Sequence, residues 1–512
     1  MTDAPLSQHT DVNVADFLLC GRDPCQTALI TIGREHTYGE LQSAVAGVAR
    51  YLRQTGAGEG HRVLLISENC FFWVAAYLGT LQAGLVSVPL PVSISRQDLE
   101  FIIQTTGARV ALLHFGVAAK HADLFVDCHV LTDRAAPVLA SVVSQADFAA
   151  LPAGDSPIRS SKIGTDDLAA LMFTSGSTGK PRGVMVTHAN IVANTESIIQ
   201  YLSLTRHDRI MAVLPFHYCF GTSLLHTHLR AGASLVLDSR FLYPETILQR
   251  MIETECTGFA GVPSHFQILL RTSSLGRKKF PRLRYVQQAG GCLANHFIQE
   301  LRQALPTTQV FIMYGQTEAT ARLSCLPPEL LDRKMGSIGK GIPGVRLQVL
   351  NTAGIEVHPQ EIGEIVAEGR NIARGYWNDP EETAAIFRDG KLYTGDLATV
   401  DEDGFIYIVD RARDFLKCGG KRVSCREVEN RLLNFRCLLE AAVVSTPDEI
   451  LGEAVKVFLV SRMPDCAGFE ECFLGFCKEN LPQELAPKAT ILVDHLPKNS
   501  AGKVLKRDLE ES

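Results

Sequence analysis

Short runs of branched and apolar residues alternate with helical patterns through the first half of the chain. Val63-Leu64-Leu65-Ile66-Ser67 is apolar and short enough for a buried strand. From Asn69 onward, Phe71, Val74, Ala75 and Leu78 recur at helical spacing until Gly84 stops the pattern. Leu85 to Pro89 reads as the next strand, Asp98 to Thr106 as a helix, and Val110 to Leu113 as a strand again. Such β–α alternation predicts largely parallel sheets with helices on their faces. A polar linker, Asp155 to Asp167, precedes a strand at Leu168 to Phe173, and a second α/β stretch runs from Ile210 to Tyr314. From Val345 to about Tyr407 the pattern changes to short strands with turns such as Asn351-Thr352-Ala353-Gly354 and Asp403-Gly404, which predicts a β-rich subdomain. After Arg411 the tail reads as a small α+β unit of about a hundred residues. No internal repeat and no low-complexity tract is present.

Length sets the domain count. At 512 residues the chain is too long for one core, since single cores stop growing near ~250–300 residues. The expected class is α/β, with two α/β sheet subdomains and a β-rich one ahead of a small α+β unit. A hydrophobic share of 46% with 21% charged residues is the balance of a globular protein. The formal charge of -6 supplies no broad attraction for nucleic acid or an acidic membrane. Met1 to Asp16 lacks the basic start and apolar stretch of a secretion signal, and no run of about 18 apolar residues suggests a span. The 14 cysteines are scattered, and Cys20/Cys25 and Cys472/Cys477 lack zinc spacing. Free thiols in a reducing, cytoplasmic setting are expected.

The chemistry concentrates in Thr174-Ser175-Gly176-Ser177-Thr178-Gly179-Lys180-Pro181-Arg182-Gly183, between the apolar runs Leu168–Phe173 and Val184–Val186. Gly176 and Gly179 free the backbone to wrap a ligand, while hydroxyls, main-chain N–H groups and Lys180 offer donors to phosphate oxygens. A Walker A loop fails on spacing. Only two residues separate Gly176 from Gly179-Lys180, Pro181 replaces the hydroxyl metal ligand, and a strand follows where a helix belongs.

With this loop, the sequence resembles the adenylate-forming superfamily: acyl- and aryl-CoA synthetases, firefly luciferase and peptide-synthetase adenylation domains. The resemblance runs from His36-Thr37-Tyr38-Gly39-Glu40-Leu41 to Arg507, and separated motifs recur in family order. It implies a large N-terminal domain over residues 1–412 and a small mobile C-terminal domain over 413–512. ATP, Mg²⁺ and coenzyme A, or a carrier-bound phosphopantetheine, are the implied cofactors and co-substrates. Tyr314-Gly315-Gln316-Thr317-Glu318 resembles the second signature. Tyr314 offers a ring to adenine, Thr317 reaches the α-phosphate, and Glu318 resembles the Mg²⁺ ligand. Gln288-Ala289-Gly290-Gly291-Cys292 stands where the family has its adenine-edge strand, with Cys292 in place of the usual proline. Tyr393-Thr394-Gly395-Asp396 matches the ribose motif, where one carboxylate at a tight turn accepts from two hydroxyls, and Arg411 resembles a nucleotide-contacting arginine. Arg413 occupies the hinge, where the family commonly has Asp or Lys. Gly419 and Gly420 resemble the loop that admits a pantetheine arm. Lys503, in Pro497-Lys498-Asn499-Ser500-Ala501-Gly502-Lys503, matches the catalytic lysine.

Leu214-Pro215-Phe216-His217-Tyr218-Cys219-Phe220-Gly221 resembles the segment carrying the gate histidine, His217. Amino-acid-activating relatives place an aspartate just after it. Tyr218 stands here, so an apolar or aromatic acid is expected over an α-amino acid. The resemblance thus implies an ATP-dependent acid–thiol ligase, with Lys503, Glu318, His217 and Thr174 as catalytic candidates. Coenzyme A is the expected acceptor, and a phosphopantetheine on a separate carrier protein the alternative. A luciferase-like oxygenase, which shares the adenylation step, carries less weight, and so does a non-catalytic nucleotide-binding protein, because such degenerate relatives usually lose Lys503 or Glu318 and both are present.

Overall fold

The computed structural model describes residues 12–135, 142–152, 163–164, 166–175, 181–411, 415–418, 421–435, 437–448, 452–461, 468–482, 485–498 and 504–510. Among these residues four sheets form. The seven-stranded sheet is parallel through Ser144–Asp147, His129–Thr132, Val110–Leu113, Arg62–Ile66, Val86–Leu90 and Leu168–Ser175, and closes with the antiparallel Pro181–Thr187. The inner strands Arg62–Ile66, Val86–Leu90 and Val110–Leu113 read as near-continuous apolar runs because both faces of a parallel sheet are covered. The helix Phe71–Gln82 buries every residue but Phe71. A helix apolar all round is an internal one, and its Trp73 and Tyr77 share one core with strands of both large sheets.

The nine-stranded sheet has a parallel centre, ordered Gln309–Tyr314, Tyr285–Gln288, Gly258–Gly261, Arg209–Ala212, Ser234–Leu237 and Thr27–Thr31. From Arg209–Ala212 the chain steps first to Ser234–Leu237 on one side, then to Gly258–Gly261 on the other. Loops leaving the carboxyl ends on either side of such a reversal diverge and open a crevice, the usual ligand site of a parallel sheet. The site described below lies along this edge.

The β-rich subdomain is antiparallel: Val345–Leu350, Gly363–Gly369, Lys391–Val400, Phe387–Arg388 and Ile406–Arg411. The C-terminal sheet comprises Lys421–Ser424, Phe415–Cys418, Gly452–Ser461, Leu438–Asp448 and Ala489–Leu492, with helices Cys425–Leu432 and Phe469–Asn480 on a separate core around Val428, Val457 and Phe473. No helix of the described residues is long and apolar enough to cross a membrane.

Two local readings change. Asp396 does not sit at a tight turn. It lies inside the ten-residue strand Lys391–Val400, where Gly395 takes φ 73° and the pairing with Ile406–Arg411 slips a register just beyond it. A left-handed glycine in a strand makes a bulge that re-aims the next side chain, so the same dipeptide yields an aimed carboxylate without reversing the chain. Gly290, Gly291 and Cys292 form a loop and not a strand, because Tyr285–Gln288 ends first and Gly290 takes φ 81°.

Candidate active site

The second signature leaves the carboxyl end of Gln309–Tyr314 as a turn that only glycine permits. A Cβ on Gly315 would lie 1.9 Å from the carbonyl oxygen of Ala321, inside any contact limit. The short 3₁₀ turn Thr317–Ala319 follows, and Thr320 closes it at φ 65°, a costly conformation for a β-branched residue. Its hydroxyl holds the Asn371 carbonyl at 2.7 Å.

Three of the candidates converge on this turn. The Tyr314 hydroxyl donates to Asp396 Oδ2 at 2.5 Å, tying the second signature to the ribose motif. Asp396 is 5% exposed and pairs in register with Arg411, whose side chain lies outside the described residues. Glu318 receives a hydrogen bond on Oε1 from the Tyr376 hydroxyl at 2.8 Å. Burial and the Glu318 charge both push the Tyr376 phenol up, so it stays a donor.

Tyr376 is a site residue that the sequence did not disclose. It comes from a segment that extends the strand Pro181–Thr187: Met185 N–H donates to the Gly375 carbonyl at 2.9 Å and Trp377 N–H to that of Gly183 at 2.7 Å. Arg182, at the exit of the phosphate-loop motif, lies 5.7 Å over the Tyr376 ring and pairs with Glu382 at 2.6 Å and Asp379 at 3.3 Å. The strand ends flanking the motif are thereby fixed to the Glu318 carboxylate. Thr174 and the Ser175 backbone end the strand Leu168–Ser175; Gly176, Ser177, Thr178, Gly179 and Lys180 lie outside the described residues.

His217 follows the switch strand. Asn69 grips its loop from both sides, donating to the Leu214 carbonyl and accepting from Phe216 N–H, each at 2.8 Å. Gly221 lets the loop fold onto the next helix, since a Cβ there would meet the Pro215 oxygen at 2.1 Å. Burial pulls the His217 pKa down to about 4, so the ring is neutral, and its Nε2 is buried without a partner. Thr317 Oγ1 donates to Cys219 Sγ at 3.4 Å, joining the histidine segment to the signature turn.

Cys292 is exposed and lies against the Arg426 guanidinium of the C-terminal unit, in the field of Asp410 and Asp396. The Asp410 carboxylate accepts from the Ser424 hydroxyl at 2.7 Å and from Arg426 N–H at 3.3 Å. The field of Lys498 reaches His265, in the helix Pro263–Thr272 that follows the strand Gly258–Gly261. Arg413, Gly419, Gly420 and Lys503 lie outside the described residues.

Comparison with known proteins identifies the family. Residues 19–377 match the family model for AMP-binding enzymes, and residues 427–503 match that of the AMP-binding enzyme C-terminal domain. A feruloyl-CoA synthase from Amycolatopsis sp is 32% identical over 493 residues, covering 95% of this chain and 96% of that protein. The o-succinylbenzoate CoA synthetase of Bacillus subtilis, solved with its acyl-adenylate intermediate, superposes with a TM-score of 0.84 at 27% identity, covering 99% of both chains. An anthranilate CoA ligase solved with anthranoyl-AMP shares the fold at a TM-score of 0.88 and 24% identity, over 100% of this chain and 98% of its own. With family models spanning both units, the chain belongs to the AMP-binding enzymes of the adenylate-forming superfamily.

Proposed function

We propose that this protein is an AMP-forming ligase that adenylates a carboxylic acid and passes the acyl group to coenzyme A. The observation that carries this reading is the joined cluster at the carboxyl edge of the nine-stranded sheet. There Tyr314 donates to Asp396, Tyr376 to Glu318 and Thr317 to Cys219, which joins the second signature to the other motifs. The feruloyl-CoA synthase and fatty-acid–CoA ligase relatives support coenzyme A as acceptor.

In the first half-reaction Asp396 accepts from the ribose hydroxyls, and the ring of Tyr314 faces the base beside Gly290, Gly291 and Cys292. Arg411 contacts the nucleotide. Thr174, Ser175 and the loop through Lys180 hold the β- and γ-phosphates, and Thr317 bonds the α-phosphate. Mg²⁺ fits Glu318, because one carboxylate plus substrate phosphates is the donor set it takes; when bound it neutralises phosphate charge. The acid is already ionised at neutral pH and needs no general base. One of its oxygens bonds the α-phosphorus, the bond to the β-phosphate oxygen breaks, and pyrophosphate leaves. Lys503 neutralises the charge gathering on these oxygens.

In the second half-reaction the unit 413–512 rotates about Arg413, withdrawing Lys503 and presenting Gly419 and Gly420 to the pantetheine arm. The thiol sulfur attacks the acyl carbon beside His217, whose neutral ring orients the carbonyl. The carbon–oxygen bond to AMP breaks and the thiol proton is released.

The test measures acid-dependent AMP release over fatty, aryl and short acids, with and without coenzyme A. Acyl-CoA formed with AMP in equal amounts supports the reading. A response only after a carrier protein is added transfers it to the carrier-loading alternative, and no response from any acid defeats it.

A further inference from the structure

A cavity of about 330 Å³, its mouth included, lies between the helices His188–Leu202 and Cys219–Ala231 and the strand Leu168–Ser175. That is the low end of the ~300–1,000 Å³ range of small-molecule pockets. One wall is a single helix face, because Cys219, Ser223 and His226 recur at the spacing that aligns side chains along a helix.

The cavity begins at the signature turn. Cys219 forms part of its wall and accepts from Thr317 Oγ1 at 3.4 Å, and Thr320, which closes the same turn, also lines it. His217 precedes Cys219 by two residues. The mouth therefore adjoins Thr317 and His217, the two residues assigned to the α-phosphate and the acyl carbonyl. From there the helix face leads inward, away from Tyr314 and Asp396, and ends at His226.

The far end is closed. The Tyr77 hydroxyl and His226 Nε2 share a hydrogen bond at 3.0 Å, and their rings stack with centroids 5.6 Å apart. Behind them Tyr77 stacks on Trp73 at 5.1 Å, within a helix that is buried at every residue but Phe71. The floor thus rests on core. Cys219 and His226 stand about two turns apart, or ~10 Å along the helix. A bilayer's ~30 Å hydrocarbon core gives each long acyl chain about 15 Å, more than this depth.

The lining also lacks any match for a charged tail. No Asp, Glu, Lys or Arg side chain lines the cavity among the described residues. Burial pulls His226 down to about 3, so its ring is neutral. Ser223 donates to the Phe220 carbonyl at 2.7 Å and Thr222 to that of Tyr218 at 2.9 Å, so both hydroxyl protons are spent on backbone.

We propose that this cavity receives the body of the acid and that the Tyr77–His226 pair is the floor that limits its length. The ligase then takes short-chain or single-ring acids with uncharged tails and rejects long-chain fatty acids. The inference rests on the acid–coenzyme A ligase reading and narrows it to a substrate class.

The experiment reads kcat/KM for acid-dependent AMP release over straight-chain acids of increasing length and a set of single-ring aryl acids. The wild-type protein should reach a maximum among the short acids and then lose about tenfold or more for each methylene that no longer fits. His226→Ala removes a ring from the floor and should move the maximum to longer chains, gaining at least about tenfold on the first chain that wild type rejects. Ser223→Leu fills the same cavity one turn nearer the mouth and should move the maximum the other way. An ω-carboxylate added to the best acid should cost about a hundredfold or more, the effect of a buried charge without a partner. Should either variant fail to fold, the other variant and the wild-type profile decide. Wild-type activity that is highest on long-chain acids overturns the proposal and leaves the ligase reading intact. So does a maximum that neither folded variant moves, or an ω-carboxylate tolerated without loss. Failure of every acid to release AMP would instead defeat the ligase reading.

Discussion

Tyr376→Phe isolates one hydrogen bond at the heart of the site. The hydroxyl donates to Glu318 Oε1 at 2.8 Å, while the ring rests edge-on against Phe387, 5.6 Å away, and beneath Arg182. Phenylalanine keeps both ring contacts and removes only the donor. A hydrogen bond to an ionised acceptor contributes roughly 1.5–3 kcal/mol, or about 10- to 100-fold at 1.4 kcal/mol per decade. Groups that orient a metal-binding carboxylate have effects of the same size on metal affinity, roughly 10- to 100-fold. The Mg²⁺ concentration for half-maximal ATP–pyrophosphate exchange should rise by that factor in the variant. Acyl transfer from a supplied acyl-adenylate, which needs no triphosphate, should be unchanged. A magnesium requirement within twofold of wild type would refute the assignment of Glu318 as the metal-facing carboxylate held by Tyr376.

Lys503→Ala should lower adenylation by about 10²–10³ while sparing transfer from a supplied adenylate; equal loss in both steps would remove the lysine from the first one. Gly315→Ala forces a Cβ to within 1.9 Å of backbone oxygen, so it should destabilise by more than the ~1–3 kcal/mol of ordinary overpacking. Thermal unfolding reads that loss. Burial pulls His188, His217, His228 and His265 down to about 4 and His226 to about 3. The unfolded chain binds protons at these rings near pH ~6.5 and the folded chain does not. Stability is therefore full above that pH and falls as pH drops toward 4, by up to about 1.4 kcal/mol per pH unit for each ring. Denaturant titrations from pH 7 to 4 should show the slope, and His226→Gln should reduce it.

The first parallel sheet was legible because its inner strands, Arg62–Ile66, Val86–Leu90 and Val110–Leu113, are covered on both faces and show as apolar runs between helical patterns. The two strands flanking the phosphate loop were legible in the apolar runs Leu168–Phe173 and Val184–Val186, while their antiparallel pairing is seen only in the structure. Gly395-Asp396 misled, since a glycine before an aspartate signals a turn, and only the partner strand shows it to be a bulge. Tyr376 was hidden because its site role depends on backbone pairing with Gly183 and Met185, nearly two hundred residues away. Asn69 reads locally as the start of a helix, yet the helix begins at Phe71 and the asparagine braces the His217 loop. Arg426 carried no signal in the sequence, because a contact across units leaves no local pattern. Cys292 was visible as a departure from the family, and its meeting with Arg426 was not.

Carboxylate oxygens labelled with ¹⁸O follow the central claim most directly. If the acid attacks the α-phosphorus, one labelled oxygen becomes the bridge of the acyl-adenylate and leaves on AMP when the thioester forms. Mass spectrometry of a complete reaction with any accepted acid should find one ¹⁸O per AMP and none in pyrophosphate. Unlabelled AMP, or label carried on pyrophosphate or inorganic phosphate, would contradict activation through an acyl-adenylate.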